Sequence, residues 1–266
     1  MQKIIPYSNQ KKGTLLAFTA VMFITPDSLF IRLANIESWS LIFYRGLIPF
    51  LTVFIGLVFV YKTKLLKELL NNSWHGVAYA IVFTITNIAF VISIENTNVA
   101  NTLIMIALAP MLSAIISFIF LNENPDKKTW IAIIITTLAV IYIFYDALDA
   151  GDFLGNFLGL VAAMGLAVGA NIIRSAKKIS LVPSAMLGKL MVALIALLFV
   201  DQIKIEGNDL IIVPLMCIMC VAIPFVLVTI APRYITAAEV NLFFLLETIF
   251  GPIWVWLVIK EQPSLE

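Results

Sequence analysis

Of the 266 residues, 62% are hydrophobic and only 12% charged, with a mean hydropathy of +1.04, a balance that leaves too little charge to wet a soluble surface. The formal net charge is +1, and without a basic run or a Lys/Arg patch interleaved with aromatics it points away from nucleic acid. The apolar excess must face lipid.

An apolar stretch of about 20 residues crosses a bilayer as a helix. Nine such stretches follow one another: 13–35, 38–61, 74–95, 98–121, 129–146, 153–175, 183–200, 209–231 and 238–260. The lysines of MQKIIPYSNQKKG precede an apolar segment much longer than the core of a signal peptide, so the first stretch is expected to be a retained helix. Short polar gaps, 62–72, 122–128, 146–152 and 201–208, carry the turn and charge signals between stretches.

Orientation follows from the basic residues. With the N-terminus in the cytoplasm, twelve of the seventeen fall on the inner side: Lys3, Lys11, Lys12, Lys62, Lys64, Lys67, Lys127, Lys128, Arg174, Lys177, Lys178 and Arg233. Arg32, Lys204 and Lys260 fall outside, and Arg45 and Lys189 lie within stretches. The expected location is a bacterial-type inner (plasma) membrane. Cys217 and Cys220 form a lone C-x-x-C in an apolar helix, which reads as two small hydrophobes, with neither a disulfide framework nor a metal site.

The chain repeats itself. At an offset of 142, Gly13, Leu16, Ala20, Met22, Ile31, Arg32 and Ala34 meet Gly155, Leu158, Ala162, Met164, Ile173, Arg174 and Ala176. At 138, Ala100, Leu108, Ile115, Glu123 and Pro125 meet Ala238, Leu246, Ile253, Glu261 and Pro263, and at 144 Arg45 meets Lys189. Five helices separate the copies, so the second is inserted upside down, an arrangement in which two halves rock about a site near the bilayer midplane. The expected fold is all-α and polytopic, an inverted repeat of five-helix units, with residues 1–146 as the first and 147–266 as the second. The partner of the fifth helix is missing, so nine helices are present of an expected ten, and Leu265-Glu266 reads as an appended scar.

The paired helix ends FLNENP and VIKEQPS, the FYRG of the second helix and the five-plus-five inverted hydropathy resemble the EamA-type branch of the drug/metabolite transporter superfamily. The resemblance spans essentially the whole chain. It implies ten helices, a central cavity between the halves, and export or uptake of small metabolites such as amino acids. Thr248 departs from the pattern, standing where a family member often has Pro after the mid-helix Glu.

Ionisable groups inside a span are functional candidates by default. Asp27 lies about 21 Å along the first helix beside Pro26, which removes a backbone donor and can free carbonyls for a cavity; the alternative is an N-cap at a helix break. Glu247 lies about 14 Å along the ninth helix, too deep to snorkel. It suits a proton carrier or a ligand for an ammonium group, or else a neutral packing residue. Arg45 and Lys189, at about 10 Å depth, either reach headgroups or bind a substrate carboxylate or a membrane-embedded acid. Asn87, Asn101, Asn171 and Asn241 join helices or line a cavity. Tyr79, Phe243, Phe244, Trp254 and Trp256 either stack a flat substrate or face lipid, and His75 reads as interfacial.

The inventory points to secondary active transport of a small amine-bearing metabolite, as in amino-acid export, by alternating access. No G-x-x-x-x-G-K-[ST] occurs, so nucleotide-driven pumping is not expected. A lipid-modifying enzyme needs a nucleophile with a base or clustered His and carboxylates, and one histidine at a helix start does not supply them. A passive channel needs rings of like groups along one helix face, whereas these polar residues are isolated. No cofactor is expected, and the expected partners are the substrate, membrane lipid and a second copy in a homodimer.

Overall fold

The computed structural model describes residues 7–62, 65, 74–147 and 153–260. Lys3, Lys64, Lys67, Glu261, Pro263 and the Leu265-Glu266 pair of the sequence argument lie outside them. Nine helical segments run through the described residues, without strand. They are α1 (Tyr7–Ile24 and Asp27–Leu33), α2 (Ser38–Tyr61), α3 (Trp74–Asn96), α4 (Val99–Leu121), α5 (Lys127–Ala147), α6 (Phe153–Ser175), α7 (Val182–Ala196), α8 (Asp209–Arg233) and α9 (Ala237–Phe243 and Leu245–Ile259). Seven are long and apolar enough to span a bilayer by length and composition. The segment α7 is shorter than the expected 183–200 because its backbone tightens: Leu198 N–H donates to Ile195 and Phe199 N–H to Ala196, each three residues back. Its 15 residues rise about 22 Å, less than the roughly 30 Å hydrocarbon core.

The repeat is written into the helix ends. Asn98 caps α4 by accepting from the Asn101 N–H, and Thr236, 138 residues on, caps α9 by accepting from the Glu239 N–H. Both helices break about one-third of the way along, α4 at Ala107–Leu108 and α9 at Phe244. Both end on a left-handed residue, Asn122 at φ 51° and Lys260 at φ 63°, again 138 apart. An αL residue closes a helix by turning the chain away from the axis.

Packing obeys the same exchange. The segment α3 lies along α6 as α8 lies along α1, α3 meets α7 as α8 meets α2, and α4 meets α6 as α9 meets α1; α2–α7 and α4–α9 are self-paired. That pattern is what a pseudo-twofold between two oppositely inserted units produces. In lipid the apolar effect does not drive helices together, so close approach of small residues must. Ala17, Ala20, Ala162, Ala163, Ala167, Ala193 and Ala196 are accordingly buried. At Gly46 the contact of α2 with α7 is so close that a Cβ would stand 2.5 Å from the Ala193 nitrogen and 2.8 Å from the Lys189 carbonyl.

Two interruptions follow from proline. Pro26 has no N–H for the Met22 carbonyl, and the Thr25 hydroxyl donates to that carbonyl instead at 3.1 Å. Ahead of Pro224, α8 widens over Cys217–Ala222, where the Ile223 N–H reaches back five residues to Ile218. The wider turn accommodates a ring that would otherwise press on the carbonyl four residues back.

Candidate functional site

A cavity of ≈ 130 Å³ lies between the two units. One water needs ~10–15 Å³ of such space, so it has room for about ten waters or one small organic molecule. Helices α1 to α4 contribute Ile24, Asp27, Arg45, Tyr79, Phe83, Thr86, Asn87, Phe90 and Ile106, and α6 to α9 contribute the rest, so both units wall it.

Asp27 opens the second half of α1 directly after the proline break, and Arg45 reaches it from α2. The guanidinium donates to Oδ1 at 2.6 Å and to Oδ2 at 2.7 Å, with a third contact to the Met216 sulfur at 3.3 Å. Arg45 and Asp27 are 5% and 3% exposed, so this two-pronged pair is buried and neither member snorkels.

Lys189 stands at the repeat position of Arg45 and is 1% exposed. Its ammonium donates to the Asn87 Oδ1, an oxygen held in that orientation because the Asn87 Nδ2 donates to the Phe83 carbonyl at 2.7 Å. The rings of Phe83 and Phe225 face it with centroids at 5.2 and 5.9 Å, close enough for cation–π attraction. Among the described residues no carboxylate lies within ion-pair distance of Lys189.

Glu247 sits in the first turn of the second half of α9, just past the break at Phe244. The backbone there tightens, with the Phe244 N–H on Asn241 and the Glu247 N–H on Phe244, both three residues back. Glu247 and Asn241 are each 1% exposed, yet Glu247 Oε1 and Asn241 Nδ2 make no hydrogen bond with the protein. A buried polar atom without a partner costs about 1–3 kcal/mol. Glu247 and Asn241 both line the cavity.

Tyr79 lines the cavity with its hydroxyl 3.0 Å from that of Thr229, and Phe244 lines it beside Glu247. Eight of the ten candidate residues thus meet around one space: Asp27, Arg45, Tyr79, Asn87, Lys189, Asn241, Phe244 and Glu247. Asn101 and Asn171 do not line it. The Asn101 amide donates to Thr97 Oγ1 at 3.2 Å near the α3–α4 turn. Asn171 ties α6 to α4 by donating to Ser113 and accepting from Ser117 at 2.6 Å, with every polar atom used. Trp254 and Trp256 lie on the exposed apolar surface, and His75 is exposed beside Trp74. Cys217 and Cys220 are free and buried, and Cys220 lines the cavity. Sequence reasoning missed Phe83, Phe90 and Phe225. The first two were readable, because Tyr79, Phe83, Asn87 and Phe90 recur on one face of α3 at helical spacing.

The family profile of the EamA-like transporters matches the chain twice, over residues 11–145 and again over 153–266. The chain belongs to the EamA-like transporter family. Members of that family are membrane transporters of small molecules, and this EamA-like protein is accordingly an integral membrane protein. A protein crystal structure has a similar fold, with a TM-score of 0.75 at 14% identity, covering 96% of this chain and 92% of the other. At that identity the likeness concerns the fold alone. No curated protein matches the chain significantly. In this EamA-like chain the two halves are not chemically equal: at the offset of 142 Asp27 meets Gly169, and at 138 Glu247 meets Ala109.

Proposed function

We propose that this EamA-like protein is a secondary active transporter of small amine-bearing metabolites, amino acids among them, working by alternating access across the inner (plasma) membrane. The supporting observation is that Glu247, with a bare carboxylate oxygen, and Asn241, with a bare amide nitrogen, are both buried and both line a cavity walled by both repeats. An acid kept from water and unpaired by protein is matched by a group that brings positive charge and donors, which a primary ammonium does. The aromatic walls from Tyr79, Phe83, Phe90 and Phe244 suit an apolar remainder. Two near-equivalent packings of the inverted units expose such a site to each side in turn. Without a phosphate-binding loop, an ion or substrate gradient supplies the work, and Glu247 is the residue to carry a coupled proton. The cytoplasmic N-terminus follows from the Lys/Arg bias of the loops.

The test is uptake of labelled amino acids and amines into vesicles holding the full-length protein, with and without an imposed pH gradient. Saturable uptake that responds to the gradient, and loses that response in Glu247→Gln, supports the reading. Non-saturable flux indifferent to both identifies a channel and sinks it.

A further inference from the structure

The two units carry matching cations but only one matching acid. Arg45 and Lys189 occupy the same repeat position on α2 and α7. Arg45 has both prongs taken by Asp27. The residue that corresponds to Asp27 on α6 is Gly169, which lines the cavity with no side chain at all. Lys189 is left with one neutral oxygen, Asn87 Oδ1, and two ring faces, although an ammonium has three donors. A buried cation is normally paired or hydrogen-bonded in full.

We infer that the substrate supplies the missing acid: Lys189, oriented by Asn87 and faced by the Phe83 and Phe225 rings, forms an anion subsite that takes the carboxylate of the transported molecule. This rests on the amine-transport reading above and adds the second recognised group. The protein then separates its cations by role. Arg45 is neutralised by the fold and stays structural, whereas Lys189 is neutralised only by cargo. With Glu247 and Asn241 addressing an ammonium, the cavity distinguishes a molecule bearing both charges from an amine that bears one.

Binding of L-phenylalanine, L-phenylalaninamide, 2-phenylethylamine and 3-phenylpropionate to the purified full-length protein, measured by calorimetry, decides the matter. A hydrogen-bonded charge pair contributes on the order of tenfold to a hundredfold in affinity. L-Phenylalanine is therefore expected to bind about that much more tightly than its amide. The preference disappears in Lys189→Met and in Gly169→Asp, where a carboxylate at the repeat position of Asp27 occupies the ammonium. Lys189→Met keeps the test decisive if Gly169→Asp does not fold. Equal binding of acid and amide, or a preference that persists in Lys189→Met, overturns the subsite and leaves amine transport standing. Binding of 3-phenylpropionate alone, lost in Lys189→Met, sustains the subsite and sinks the amine reading. Failure of all four probes to bind overturns both.

Discussion

Asp27, at the start of the second half of the proline-broken α1, and Arg45 on α2 meet through two hydrogen bonds of 2.6 and 2.7 Å with both side chains buried. Breaking such a pair from one side costs more than removing it, because the survivor is a buried charge without a counter-ion, worth about 3–5 kcal/mol. Asp27→Ala is thus expected to lower the melting temperature of the purified protein substantially. Asp27→Ala combined with Arg45→Met is expected to recover most of the loss. Denaturation of the single and double variants in detergent checks this; a double variant no more stable than Asp27→Ala alone contradicts it.

The opposite holds at Glu247. Its Oε1 has no partner in the protein, so replacing it with an amide of the same shape removes charge without orphaning a neighbour. Glu247→Gln is expected to fold with stability within about 1 kcal/mol of the parent, while substrate uptake falls at least roughly tenfold, the effect of losing ~1.4 kcal/mol of binding. Melting and vesicle uptake measured on the same preparation separate the two effects. A variant that melts early and transports no worse than its folded fraction predicts would assign Glu247 to packing.

How much of this was legible beforehand differs by residue. The repeat, the proline break at Pro26 and the four ionisable groups stood out because charges in hydrocarbon are expensive and therefore rare. Which amide faces the cavity did not. Asn171 and Asn241 lie at similar depth in apolar helices, and only the neighbouring helix decides: Ser113 and Ser117 of α4 saturate Asn171, while nothing on the protein reaches Asn241 Nδ2. A membrane-embedded acid was one of the alternatives open to Arg45, and that Asp27 is that acid was hidden for the same reason. Sequence spacing gives depth along a helix, and facing comes from the packing of two helices. The wide turn at Cys217–Ala222 is also a tertiary adjustment, since proline alone predicts a kink without saying on which side the backbone opens.

The α2–α7 contact sets the distance between the two cations' helices, and it depends on Gly46. A valine there would drive its Cβ toward backbone atoms of Ala193 and Lys189 that cannot step aside. Gly46→Val is expected to destabilise the protein by about 1–3 kcal/mol and to weaken substrate binding with it, because Lys189 moves with its helix. Gly56, on the same helix but with open space around its Cβ position, is the control: Gly56→Ala should leave melting and binding unchanged.

The bundle end that carries the α4–α5 loop is fastened by Arg174 at the foot of α6. Its Nε donates to Glu123 at 2.8 Å and its Nη1 to the Pro232 carbonyl at 3.3 Å, so one side chain ties α6 to the end of α4 and to the turn before α9. Glu123 is 26% exposed, which limits the pair to at most about 1 kcal/mol. That is too little to hold the fold and enough to bias two near-equal packings about fivefold. Cys220 reports on the difference, because it lines the cavity and is buried in this packing. In a Cys217→Ala background, Glu123→Gln is expected to leave the melting temperature nearly unchanged while raising the rate of Cys220 labelling by a membrane-permeant thiol reagent about fivefold. Substrate that binds the closed cavity should slow the labelling in both proteins. A Glu123→Gln variant labelled at the parent rate would mean that the Arg174 contact only decorates the loop and that opening of this end is governed elsewhere.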